Sequence, residues 1–161
     1  MIPSISIRLA TESDLQPIIQ LDALSNPHSW GEGLVAEALQ IRQNWLVELG
    51  DATQKSIVGW LTASVVLDQS ELELIVIDSS FRRQGLARKL IMVWSDAVVQ
   101  QGVNELLLEV RESNHGAILL YESMGFELVG RRKNYYQIEK KGQTALGREA
   151  ACLFTLKIES L

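Results

Sequence analysis

Apolar and polar residues alternate through SISIRLA, Ser4 to Ala10, and that period of two predicts a first strand. The period lengthens to that of a helix in TESDLQPIIQLDAL, with Thr11 at the cap and acidic residues in the first turn, and again in EGLVAEALQIRQ. NWLVELGDA and SIVGWLTASVVLD read as two strands joined by a turn around Gly50 and Asp51. ELELIVI, Glu71 to Ile77, is a further strand, and Leu86, Leu90, Val93 and Trp94 then recur at helical spacing in a helix that stops near Gly102. ELLLEV, Glu105 to Val110, is followed by a helix capped by Asn114 and ended before Gly125. FELVGRRKNYY reads as a strand, QIEKKGQTALGRE as a polar loop, and AACLFTLKI as the final strand.

Helices and strands therefore interleave, which makes the class α/β. The strand, helix and strand from Glu71 to Val110 form a crossover that sets its two strands parallel and adjacent. No repeat, low-complexity segment or linker interrupts the 161 residues, so a single domain over 1–161 is expected.

Composition narrows the classes of function. The chain is 47% apolar and 22% charged, as ordinary globular domains are. Its net charge of −5 disfavours direct binding of nucleic acid, because phosphates must meet a positive surface. The N-terminal residues lack the basic start and cleavage site of a signal peptide, and no apolar run reaches the roughly 20 residues of a membrane span. A cytoplasmic protein that does not bind membranes is expected. The single Cys152 sits in an alternating apolar run and reads as a core residue in a reducing compartment. His28 and His115 have no ligand spacing with each other or with Cys152, so no metal site is expected.

Against the acidic balance, SSFRRQGLARKLI places Arg82, Arg83, Arg88 and Lys89 around Gly85 at a strand-to-helix turn. A helix start carries unpaired N–H groups and a positive dipole end, and a glycine there lets a ligand approach the main chain. The turn, Arg82, Arg83, Gln84, Gly85, Leu86, Ala87, lacks the lysine and hydroxyl pair of a P-loop and the extra glycines of a dinucleotide fingerprint. It suits a pyrophosphate, and it equally suits a solvated basic turn that starts a helix. Further on, Asn114 and Tyr121 stand seven residues apart on one helix face, and the preceding strand carries Glu109 among leucines. Glu109 is either chemical or simply paired with Arg111, which shares its side of the strand.

These residues resemble a known family. IVIDSSFRRQGLARKL, LLLEVRESNHGAILLYESMGF, RRKNYY and GREAACLFTLKI, in this order and spacing, are similar to the GCN5-related N-acetyltransferases. They are most similar to the branch that acetylates the N-terminal alanine of a small-subunit ribosomal protein. The likeness runs from about Val65 to Ile158, and more faintly through HSWGEGL, His28 to Leu34. It implies a mixed, mostly antiparallel sheet with a central splayed parallel pair and helices on both faces. It implies acetyl-CoA as cosubstrate, with its pyrophosphate on the turn Arg82 to Arg88 and its pantetheine along the main chain of Ile75, Val76 and Ile77. It makes Asn114 a cofactor contact, Glu109 the proton acceptor and Tyr121 the proton donor. Ser29 stands where relatives carry proline, on the acceptor side.

The implied partner is a protein N-terminus. Trp30, Tyr135 and Tyr136 could line a groove for it or serve as packing. A lysine side chain or small amine as acceptor, a non-catalytic acetyl-CoA sensor, and a plain nucleotide-binding domain remain open readings, because a fold constrains function only in part.

Overall fold

The computed structural model describes residues 4–138 and 147–159. They fall into two compact units, one running to Val103 and the other beginning at Asn104. The elements of the first unit are β1 (Ser4–Leu9), α1 (Leu15–Ser25), α2 (Glu32–Ile41), β2 (Gln43–Gly50), β3 (Lys55–Val66), β4 (Gln69–Ile77) and α3 (Leu86–Val99). Those of the second are β5 (Glu105–Arg111), α4 (His115–Ser123), β6 (Glu127–Ile138) and β7 (Gly147–Lys157).

In the first unit the four strands form an antiparallel sheet in sequence order, with Leu46, Trp60 and Val76 in register across β2, β3 and β4. Those three side chains are buried with Ile18 and Leu21 of α1 and with Val35 and Ala38 of α2. Trp45 and Leu61, next along their strands, point the other way and are equally buried. Alternate residues of a strand face opposite sides, so β2 and β3 need cover on both. The amphipathic α3 supplies the second layer with Leu86, Leu90, Ile91, Trp94 and Val98. The indole N–H of Trp94 donates to Ser70 Oγ at 2.9 Å, which satisfies the polar atom of a fully buried ring.

Thr11 begins the first helical segment as expected, but a short 3-10 turn, Glu12–Asp14, precedes α1. Asp14 closes a capping box with Thr11, and Arg8 grips its carboxylate with two bonds of 2.9 Å. Arg8 also reaches Glu48, and this lies beside Asp14 as a second buried acid, so the pair of carboxylates shares one guanidinium.

In the second unit β7 lies between β5 and β6 and pairs antiparallel with both. Burial alternates along β5: Leu106, Leu108 and Val110 are buried, and Leu107, Glu109 and Arg111 face a half-open side. Cys152 of β7 is buried and free, as its alternating context predicts. β6 runs to Ile138 and β7 starts at Gly147, so the ladder extends into the segment 137–149 that reads as a polar loop. The middle of that segment, 139–146, lies outside the described residues. β4 and β5, the strands that the crossover is expected to set parallel, belong to different units.

Candidate active site

β4 ends at Ile77, and the chain then turns sharply before α3. Asp78 caps the 3-10 turn Ser79–Phe81, its Oδ1 accepting from Ser80 N–H at 2.8 Å. Two left-handed residues follow, Arg83 with φ of 62° and Gly85 with φ of 77°. The second is the N-cap of α3, and the space into which a Cβ at Gly85 would point is open. The first bond of the helix runs from Lys89 N–H to Gly85 O at 3.1 Å, so the N–H groups of Leu86 and Ala87 precede the helical ladder. Glycine offers no capping oxygen, and the first turn holds no acidic residue. The helix start therefore keeps its positive end directed outward, flanked by the exposed Arg83 and Lys89. A phosphate-bearing ligand fits this cradle in charge and in shape.

Of the residues expected to hold the cofactor, Arg82, Arg83, Gln84, Gly85, Leu86, Ala87 and Arg88 form this one turn, directly after Ile75, Val76 and Ile77. The last three pair with Leu61, Trp60 and Gly59 of β3, and Val76 is buried in the core. Alternate residues of β4 direct their main-chain groups away from β3. The guanidinium of Arg82 is turned inward: Nη2 donates to Ser25 O at 2.6 Å and Nε to Ile77 O at 3.3 Å.

In the second unit Asn114 is the N-cap of α4, its Oδ1 accepting from Ala117 N–H at 3.2 Å. Tyr121, two turns on, is 6% exposed and stacks edge-on against Phe126, with ring centroids 5.9 Å apart. Burial, with a smaller contribution from Tyr136, pushes its phenol up to about 12. The hydroxyl thus keeps its proton throughout the physiological range.

Glu109 lies on the half-open face of β5, and its carboxylate pairs with Arg132 of β6 at 3.3 Å across the intervening β7. Arg111 lies under the ring of Tyr136, 4.4 Å from its centroid, and Arg132 lies 5.6 Å from that of Tyr135. Tyr136 is itself raised, by burial first and by Glu109 next. A carboxylate, two guanidiniums and two phenols therefore share one surface of this unit. Such a surface can exchange protons and hold a charged peptide.

The pairing of Glu109 with Arg111 that a shared strand face suggests gives way to one with Arg132, which sequence reasoning passes over because it lies on a distant strand, while Arg111 stacks on Tyr136. Asp22 is a second functional position that the sequence pattern does not single out. It is 1% exposed and accepts from Asn26 Nδ2, Trp30 N–H and Gly31 N–H, so it holds the segment 26–31 between α1 and α2. The only signal is an acid in the mostly apolar run IIQLDAL. Among the described residues, no three His, Cys, Asp or Glu side chains gather as a metal site, and no helix is long and apolar enough to cross a membrane.

Comparison with known proteins extends these findings. Residues 15–126 match the model of the acetyltransferase (GNAT) family. A [ribosomal protein bS18]-alanine N-acetyltransferase of Salmonella typhimurium is 33% identical over 153 residues, which cover 95% of this chain and 97% of the relative. The enzyme of that name from Escherichia coli K12 is 45% identical over 102 residues, 63% of this chain. In that match the chain spans 65% of the relative's length. The crystal structure of the ribosomal-protein-S18-alanine N-acetyltransferase from Escherichia coli superposes with a TM-score of 0.85. It shares 31% identity, with 98% of this chain and 96% of that one covered. A GNAT acetyltransferase of Elizabethkingia anophelis with acetyl-CoA bound has the same fold, with a TM-score of 0.75, 20% identity and coverage of 96% and 98%.

Proposed function

The chain belongs to the acetyltransferase (GNAT) family, and on that premise we propose that it moves an acetyl group from acetyl-CoA to a protein N-terminal amine. The acceptor proposed is the N-terminal alanine of ribosomal protein bS18, the substrate named for the relative that aligns over nearly the whole chain. A cytoplasmic location follows from such a substrate.

The observation that carries the donor assignment is the bare, outward-facing start of α3, with Gly85 in the left-handed region and open space before it. Main-chain N–H groups there hold the pyrophosphate, helped by Arg83 and Arg88. Ile75, Val76 and Ile77 offer the pantetheine a strand edge, and Asn114 contributes a further polar contact.

An α-amine has a reference pKa of about 7.7 to 8.0, so most of it is protonated at neutral pH and cannot attack. Glu109, directly or through water, takes that proton. The amine nitrogen then bonds to the thioester carbonyl carbon, and a main-chain N–H near Val76 stabilises the oxyanion. On collapse the carbon–sulfur bond breaks and the thiolate takes a proton from Tyr121, which burial has kept protonated, and the second proton that the nitrogen sheds as the amide forms returns to the phenolate, directly or through water. The products are an amide and free CoA, with no covalent enzyme intermediate. Calorimetric titration with acetyl-CoA and with ATP tests the donor. Binding of acetyl-CoA alone supports it, and preference for ATP refutes it.

A further inference from the structure

Arg82 belongs by position to the cradle, yet its guanidinium faces away from it. It donates to the carbonyl of Ser25, the last residue of α1, and to that of Ile77, the last residue of β4. Ser25 is 7% exposed, and its Oγ accepts from Ser79 N–H at 3.2 Å, which adds a second tie between the same two chain ends.

One turn back along α1, Asp22 holds the main chain of Trp30 and Gly31 at 2.8 and 3.3 Å and the side chain of Asn26 at 2.8 Å. Asn26 Oδ1 in turn accepts from His28 N–H. The ring of Trp30 stands edge-on to Trp60 at 5.9 Å, and the indole N–H of Trp60 donates to Asn44 Oδ1. Segment 26–31 is thus pinned from two sides, and the C-terminal turn of α1 carries both its anchor and the contacts of Arg82.

We propose that Arg82 is a positioning residue for the acceptor: it clamps the end of α1 to the end of β4, so that order in the cradle is passed to the segment 26–31. This rests on the acetyl-transfer reading for its meaning, because it assigns that segment to the acceptor side. A buried acid with three donors and an arginine with two main-chain acceptors are stiff links, since charge-assisted hydrogen bonds are about twice as strong as neutral ones. Ligand bound at the turn then reduces the freedom of the acceptor segment without touching it.

Amide hydrogen exchange at Trp30 and Gly31 reads the link in the free protein, with no need for turnover. In the wild type, saturating acetyl-CoA should slow both amides. Arg82→Met keeps the aliphatic stem and removes the donors. It should speed both by about 10- to 100-fold, the worth of one hydrogen bond to a charged group, and abolish the response to acetyl-CoA. Its KM for acceptor peptide should rise by about tenfold, while the Kd for acetyl-CoA stays within about threefold.

Arg82→Lys, with one donor in place of a fork, should fall between the two. It serves as the test if the methionine variant fails to fold. Unchanged exchange at Trp30 and Gly31 overturns the proposal. So does a weakened Kd for acetyl-CoA with an unchanged acceptor KM, because Arg82 is then a cofactor contact. If the wild type transfers no acetyl group, the acetyl-transfer reading fails and the exchange arm still decides this one.

Discussion

The carboxylate of Glu109 and the guanidinium of Arg132 lie 3.3 Å apart although their strands are not neighbours, because β7 runs between them. In the mechanism proposed above, the base that receives the ammonium proton therefore already has a resident cation. There the arriving amine would compete with Arg132 for the same oxygen atoms. Arg132 is more than half exposed, and exposed pairs are worth about 0 to 1 kcal/mol. Arg132→Met should therefore lower the KM for acceptor peptide by up to about fivefold. Steady-state kinetics at low and high salt checks this. A raised KM would mean that Arg132 binds the acceptor rather than competing with it.

Gly85→Glu should abolish acetyl-CoA binding in a folded protein. Nothing within 4 Å meets a Cβ there, so the damage to packing is small, and the left-handed φ of 77° adds a cost of about 1 kcal/mol. The new carboxylate occupies the mouth of the cradle and repels phosphate. Calorimetry with circular dichroism separates the two effects, and wild-type affinity in the folded variant would remove the cradle from the mechanism.

Tyr121→Phe keeps the ring against Phe126 and deletes the proton. Turnover should fall by about 10²- to 10⁴-fold, the range of a general acid, with the Kd for acetyl-CoA within about threefold. Single-turnover kinetics makes chemistry the step observed. An unchanged rate would leave the phenol a packing group.

Asp14 is held down to about 2, first by its hydrogen bonds to Arg8. Its folded pKa lies below the unfolded one, so the stability it contributes is present above about pH 4 and is lost as pH falls to about 2. The shift corresponds to roughly 2 kcal/mol. Urea unfolding of the wild type at pH 5 and pH 2.5 should show this loss, and Asp14→Asn should show a smaller one.

The elements were legible because burial imposes a period. Alternation in ELLLEV and the spacing of Leu86, Leu90 and Trp94 are the marks of faces that pack. Gly85 and Asn114 were legible as helix starts because a left-handed turn and a side-chain cap each select a residue type. The partner of Glu109 was not, since it depends on the register of β7 against both neighbours, and register is a tertiary property. Nor was the inward turn of Arg82, whose acceptor lies 57 positions earlier in the chain.

The central claim is the acceptor. A lysine has a reference pKa near 10.4, so its neutral form at pH 7 costs about 3.5 kcal/mol more to reach than that of an α-amine, a difference that favours N-termini for a carboxylate base. The net charge of −5 also attracts a basic tail, so transfer to one should weaken as salt rises. The measurement is intact-mass analysis, with fragmentation to locate the acetyl group. The protein and acetyl-CoA are incubated with peptides beginning in free alanine and with the same peptides blocked at the N-terminus but carrying an internal lysine. The account predicts one acetyl group on the alanine nitrogen of the free peptides and none on the blocked ones. Acetylation that maps to lysine, or that occurs equally in both sets, would contradict it.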